Sequence, residues 1–232
     1  MNQDELFDRV DRDSKNGRLK SEEEAIREDQ ERLERLVTPE LLTYFSEKDA
    51  LKLVRYFQET PSSGTQEEKG MPYDLQKLSE EAKQFLVKEI RGKKIIEIGD
   101  AGRRINECLL LRLGARSFET ADAQWGVDGL TYLMRQPEGS AIVCSFGVLD
   151  WGVLYDDWIN SPRAMERYRK LLGNEMYRVT PKGAITLHGL ECFDDLKQAG
   201  FREEYSPFVP EDLDTWTPQR GGLKVLRKQN DR

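Results

Sequence analysis

Histidine is nearly absent from this 232-residue chain, where His188 stands alone, and cysteine is scarce and scattered at Cys108, Cys144 and Cys192. No two cysteines form a C-x-x-C pair, so neither a disulfide framework nor a nitrogen- or sulfur-rich zinc site can be assembled. The adjacent acids Asp156 and Asp157 precede a helix, where they favour the positive end of its dipole, and no metal site is expected. Long apolar runs are missing too: nothing approaches the roughly 18 uncharged residues of a membrane-spanning helix. The N-terminus opens on acidic and basic residues in place of a basic-then-apolar leader, so membrane insertion and secretion are not expected, and a reduced cytosol is the expected compartment. An excess of positive charge is also lacking. With 36 basic against 43 acidic side chains the formal charge is −7, which disfavours broad nucleic-acid binding, since that needs clustered cations to displace counterions from phosphates.

What is present suggests one medium domain with an appendage. Residues 1–36 hold 12 Asp/Glu and 8 Lys/Arg, and residues 1–20 read as a mobile acidic start. From Ser21 the pattern is helical, with acid-before-base pairs such as Glu23–Arg27 and Glu31–Arg35 and a thin apolar seam of Ile26, Leu33 and Val37. Thr38-Pro39 reads as an N-cap followed by proline at the first helical position, and Ser46 with Asp49 opens another helix. A polar loop follows from Thr60 to Gly70. Leu78, Ala82, Phe85, Leu86 and Ile90 then recur at three and four residues, an amphipathic helix ending near Gly92.

At Lys94 the period changes. Ile95 to Ile98 is a buried-strand run, Gly99 to Gly102 a tight turn, and Ile105 to Leu113 a helix. Strands are predicted at Ser117–Asp122, Ala141–Phe146, Ala184–Leu187, Arg202–Ser206 and Leu223–Arg227, with helices from Ser161 and over Phe193–Ala199. This alternation predicts an α/β, Rossmann-like, mostly parallel sheet with flanking helices over residues 73–230, behind a helical N-terminal segment at 21–72. In such a sheet ligands sit beyond the carboxyl ends of the strands. The small residues after Ile98 allow backbone approach to a ligand, and Asp122 is placed where a carboxylate accepts hydrogen bonds from a ribose diol.

Ile95 to Gly102, Gly114-Ala115-Arg116 leading to Asp122, Ala141 to Leu149 and Tyr177 to Gly183 resemble the class I S-adenosylmethionine-dependent methyltransferases, over about two thirds of the chain. The resemblance implies S-adenosylmethionine as cofactor, lined by Glu97, Gly99, Ala101 and Gly102, with Asp122 on the ribose. It also implies Asp128 and Gly129 beside the adenine, and Ser145 in the segment next to the transferred methyl. The family's amino-group motif is absent after the strand at Ala141–Phe146, so the resemblance implies a small or medium-sized acceptor. His188, expected just after its strand, and Asp150 are the candidate bases if the acceptor must lose a proton.

Two departures accompany the match. Ala101 and Arg103 stand where the family has glycines. Only 18 residues separate Asp122 from Ala141, where the family fits a helix, a third strand and a turn, and Gly129 to Leu133 is either that helix or a remnant after the strand. The main expectation is methyl transfer, with the N-terminal helices forming a lid or part of the acceptor pocket, or contacting a protein partner or a second copy. The alternative is a catalytically inactive methyltransferase-like module for protein binding or assembly. A third reading, another nucleotide-using Rossmann-like enzyme, lacks a Gly-x-Gly-x-x-Gly phosphate loop.

Overall fold

The computed structural model describes residues 27, 30–31, 33–59, 78–99, 105–123, 126–146, 162–189, 193–208 and 224–229. The chain runs α1 (Pro39–Tyr44), α2 (Glu47–Glu59), α3 (Glu80–Ile90), β1 (Lys94–Ile98), α4 (Ile105–Arg112), β2 (Ser117–Ala121), α5 (Gly129–Met134) and β3 (Ile142–Phe146). It continues with α6 (Pro162–Val179), β4 (Ile185–Gly189), α7 (Phe193–Ala199), β5 (Phe201–Glu203) and β6 (Lys224–Lys228). The six strands form one sheet in the order β2-β1-β3-β4-β6-β5. β2, β1, β3 and β4 pair in parallel, and β6 runs antiparallel to both β4 and β5.

Both faces of the central strands are covered, as parallel sheets require. On one face Ile95, Ile142, Cys144, Ile185, Leu187 and Val225 pack with Ala82, Leu86 and Ile90 of α3 and Leu109 and Leu110 of α4. On the other, Ile96, Ile98, Val143 and Leu226 meet Leu130 and Leu133 of α5, Met165, Tyr168, Leu172 and Met176 of α6 and Leu196 of α7. The chain leaves β1 through α4 on the first face to reach β2, then returns through α5 on the second face to reach β3. β1 and β3 are therefore the point where the sheet changes direction, and a ligand crevice belongs beyond their carboxyl ends.

The short interval after Asp122 is settled here. Gly129–Met134 is a helix, and no strand lies between Ala121 and Ile142 among the described residues. Among the described residues β2 is consequently the last strand on its side. It is short, and Glu119 on it pairs with Lys94 at 2.7 Å and accepts from the Tyr132 hydroxyl, charge and brevity being two ways to blunt an edge.

The N-terminal helices belong to the core on the α5 side. Leu36, Leu41, Ala50, Leu53 and Val54 are buried in the same cluster as α5 and α6, and each large aliphatic among them contributes about 1.5–3 kcal/mol when withdrawn from water. Thr38 caps α1 through its hydroxyl, which accepts from Leu41 N at 3.4 Å. Ser46 Oγ accepts from Asp49 N at 3.2 Å and donates to its carboxylate at 2.8 Å. The far end of α5 is closed by Arg178 of α6, which donates to the carbonyls of Leu133 at 2.8 Å and Gln136 at 2.9 Å and so satisfies acceptors that a helix terminus leaves open.

Candidate functional site

The carboxyl ends of β1 and β2 are tied by one hydrogen bond. Gly99 N donates to Ala121 O at 2.9 Å, which places Gly99 beside Asp122, the next residue. Gly99 has φ +80°, a left-handed conformation that glycine adopts without cost. Asp122 is buried, and its carbonyl accepts from Val127 N at 3.1 Å while Ala123 O accepts from Gly126 N at 3.0 Å. These two bonds bring Val127, and with it the start of α5, back to the end of β2.

Asp128 follows Val127 as the N-cap of α5. One carboxylate oxygen accepts from Thr131 N at 2.7 Å and the other from the Tyr168 hydroxyl of α6, also at 2.7 Å. Burial raises its pKa, partly opposed by these hydrogen bonds, since a low-dielectric surrounding disfavours the charged form. Gly129 follows because nothing larger fits: a Cβ there would lie 2.7 Å from Ile98 Cγ2. The start of α5 is thus pressed against the end of β1.

Glu97 lies on β1 in register with Cys144 of β3, on the α3–α4 side of the sheet. Burial pushes the Cys144 thiol up to about 12, with the nearby Glu97 charge adding to the effect, so the sulfur stays protonated and unreactive near neutral pH. Ser145 and His188 are register partners on β3 and β4, and both are fully buried.

The expectation for His188 needs correction in place, if not in identity. It lies inside β4 and not in the loop after it, because Lys224 of β6 pairs with it and carries the strand past Leu187. Its tautomer follows from its neighbours. The Thr186 hydroxyl donates its proton to Val143 O, so Thr186 Oγ1 must accept from His188 Nε2–H, 2.9 Å away. Nδ1 then carries a lone pair and, buried, has no hydrogen-bond partner among the described residues. Burial lowers the pKa to about 3, so the ring is neutral at pH 7 and offers an acceptor, not a charge.

The structure therefore brings Gly99, Asp122, Asp128 and Gly129 together at the β1–β2 end, and Ser145 and His188 together at the β3–β4 end. Ala101, Gly102 and Asp150 lie outside the described residues, as do Arg103, Trp125 and Trp151, whose side chains would decide how open the crevice is. Sequence reasoning missed two contributors. Tyr168 reads as one more apolar residue in the stripe of α6, and Thr186 as strand filler; their partners Asp128 and Val143 are some forty residues away. Among the described residues no helix is long and apolar enough to cross a membrane, and no group of three or more metal-ligating side chains is present.

No family model matches the sequence, and no curated protein matches it. Among solved structures, 62% of the chain is similar to 94% of an S-adenosylmethionine-dependent methyltransferase from Mesorhizobium loti, at 12% identity and a TM-score of 0.37. A TehB-like methyltransferase from Corynebacterium glutamicum is similar over 65% of this chain and 89% of its own, at 15% identity and a TM-score of 0.38. The [4+2]-cyclase SpnF is similar over 64% of this chain and 81% of its own, at 11% identity and a TM-score of 0.34. At these scores the likenesses carry no weight in assigning a function.

Proposed function

We propose that the chain binds S-adenosylmethionine in the crevice beyond β1 and β3 and transfers its methyl group to a small or medium-sized acceptor. The observation that carries the reading is the bond from Gly99 N to Ala121 O, which sets Gly99, bare of a side chain, next to Asp122 at the point where the sheet changes direction. That donor set fits a nucleoside: a carboxylate to accept from a ribose diol, and bare backbone to lie against it. Asp122 would hold the ribose, and Glu97, Gly99, Ala101 and Gly102 would border the rest of the cofactor. Asp128 and Gly129 would shape the adenine side through the turn they close, since both Asp128 oxygens already serve the protein.

The cofactor, when bound, supplies a methyl group on a sulfonium, already activated toward displacement. The protein's share is then alignment and exclusion of water. Ser145 would stand nearest the methyl. His188, held neutral with a bare Nδ1, would accept a hydrogen bond from the acceptor in preference to storing a proton. Asp150 would take the proton where one must leave. A cytosolic location belongs to the same proposal.

The inactive-module alternative draws on the lack, among the described residues, of a strand beyond β2 and on the complete burial of His188. Calorimetric titration with S-adenosylmethionine and S-adenosylhomocysteine, repeated on Asp122→Ala, separates the two. Micromolar binding that disappears in the variant supports the enzyme; absence of heat from folded wild-type protein supports the module.

A further inference from the structure

Helix α1 is fastened at both of its ends to the residues that close the Asp122–Asp128 turn. At its start, Thr38 Oγ1 is 2.9 Å from Thr131 Oγ1 in the first turn of α5, and Thr131 N donates to Asp128. At its finish, the Phe45 ring packs on the Tyr168 ring with centroids 6.4 Å apart, and the Tyr168 hydroxyl donates to the other oxygen of Asp128. Arg167, one residue before, lies over both Tyr44 and Phe45, at 6.0 and 5.7 Å from their ring centres. The connections form a closed circuit, α1 to α5 to Asp128 to Tyr168 and back to α1. Asp128 and Tyr168 are buried at its centre.

We propose that Tyr168 is a positioning residue for the cofactor turn, with α1 as the clip that holds Tyr168 and Thr131 in place. This rests on the reading that Asp122 holds the ribose. A six-residue step between two acids has many conformations open to it, and the position of Asp122 relative to α5 depends on how the second end is anchored. Val127 N closes the turn from within; Asp128 anchors it from without, and does so with both oxygens. Without the Tyr168 hydroxyl, Asp128 keeps only the donors in the first turn of α5, at Leu130 and Thr131, and loses the one that ties it to α6; a buried carboxylate short of a donor is drawn toward water, which shifts Val127 and Asp122 with it. The N-terminal segment is then part of the binding apparatus through contacts that never touch the ligand.

The test uses the full chain and two readouts. One is the dissociation constant for S-adenosylhomocysteine and for adenosine, measured by calorimetry well below the melting temperature. The other is amide hydrogen exchange at Val127 and Thr131 in ligand-free protein, relative to exchange at Ile96 and Val143 in the sheet. Tyr168→Phe keeps the ring against Phe45 and removes only the hydroxyl. It is expected to weaken both ligands by about tenfold and to speed exchange at Val127 and Thr131 while the sheet amides stay protected. A purely structural role would lower the melting temperature and speed all four amides together, leaving affinity within twofold; that result overturns the proposal. Should Tyr168→Phe not fold, Phe45→Leu carries the test, with the same pattern at about threefold. Failure of the wild-type chain to bind either ligand overturns the functional reading itself, and the proposal with it. Normal wild-type binding with an unaffected variant overturns the proposal alone.

Discussion

Asp128 and His188 are both buried titratable groups on the α5–α6 side of one sheet near its carboxyl end, yet the protein treats them in opposite ways. Asp128 has a donor for each oxygen; His188 has Thr186 for one nitrogen and nothing among the described residues for the other. Burial drives each toward its neutral form. The first corner is complete and holds structure. The second keeps one acceptor without a partner among the described residues.

The largest effect is expected at Asp128. Asp128→Ala removes a helix cap and strands the Tyr168 hydroxyl, and a loss of about 2–4 kcal/mol is expected from urea unfolding; a loss under about 1 kcal/mol would mean the corner is not holding structure. The acid limb of stability sharpens the contrast at His188. Its folded pKa is near 3 against an ordinary 6.5, so between those values the unfolded chain binds more protons and stability falls as the pH falls. The expected contribution is on the order of a few kcal/mol. Asp128 and Asp195, whose carboxyl pKa values are raised by burial, act in the opposite sense, gaining stability as acid neutralises them. Unfolding curves from pH 7 to pH 4 should therefore be visibly flatter for His188→Gln than for the wild type.

Gly129→Ala drives a methyl into Ile98 and should cost about 1–3 kcal/mol. The cost should shrink on an Ile98→Ala background, and additive losses would show that the two sites do not touch. The smallest effect belongs to the surface link between α1 and α5. Glu40 accepts from Arg135 at 2.8 and 3.1 Å, which lowers its pKa to about 2. Both groups face solvent, and exposed pairs contribute little. Glu40→Ala should leave the melting temperature nearly unchanged, and a large drop would move the weight of the α1 clip from Thr38 and Phe45 to this ion pair.

The sheet was legible wherever a strand is apolar on both faces, as in Ile95 to Ile98, and the helix over Glu80–Ile90 in the period of its apolar residues and its stop near Gly92. His188 was misplaced by one register position because a polar residue after Leu187 reads locally as loop. Pairing with Ser145 of β3 on one side and Lys224 of β6 on the other makes it strand. The shortened interval after Asp122 was countable, but Gly129 to Leu133 reads equally as the family's helix or as a remnant after a third strand, and the choice falls to its packing against Ile98 and Leu172. The apolar faces of α1 and α2 were visible; the α5–α6 layer that covers them was not, since a period identifies a buried face without naming its partner. Tyr168 was invisible as a functional residue for the same reason. Its hydroxyl matters only because Asp128 meets it.

The central claim, that a nucleoside cofactor sits against Gly99 and Asp122, is tested most directly by an amide hydrogen-exchange footprint of the full chain with and without S-adenosylhomocysteine. Added protection is expected at Gly99 and through Ala123–Val127, with the β4–β6 amides unchanged. Saturating ligand that protects neither segment, or protects only α1 and α2, would contradict it.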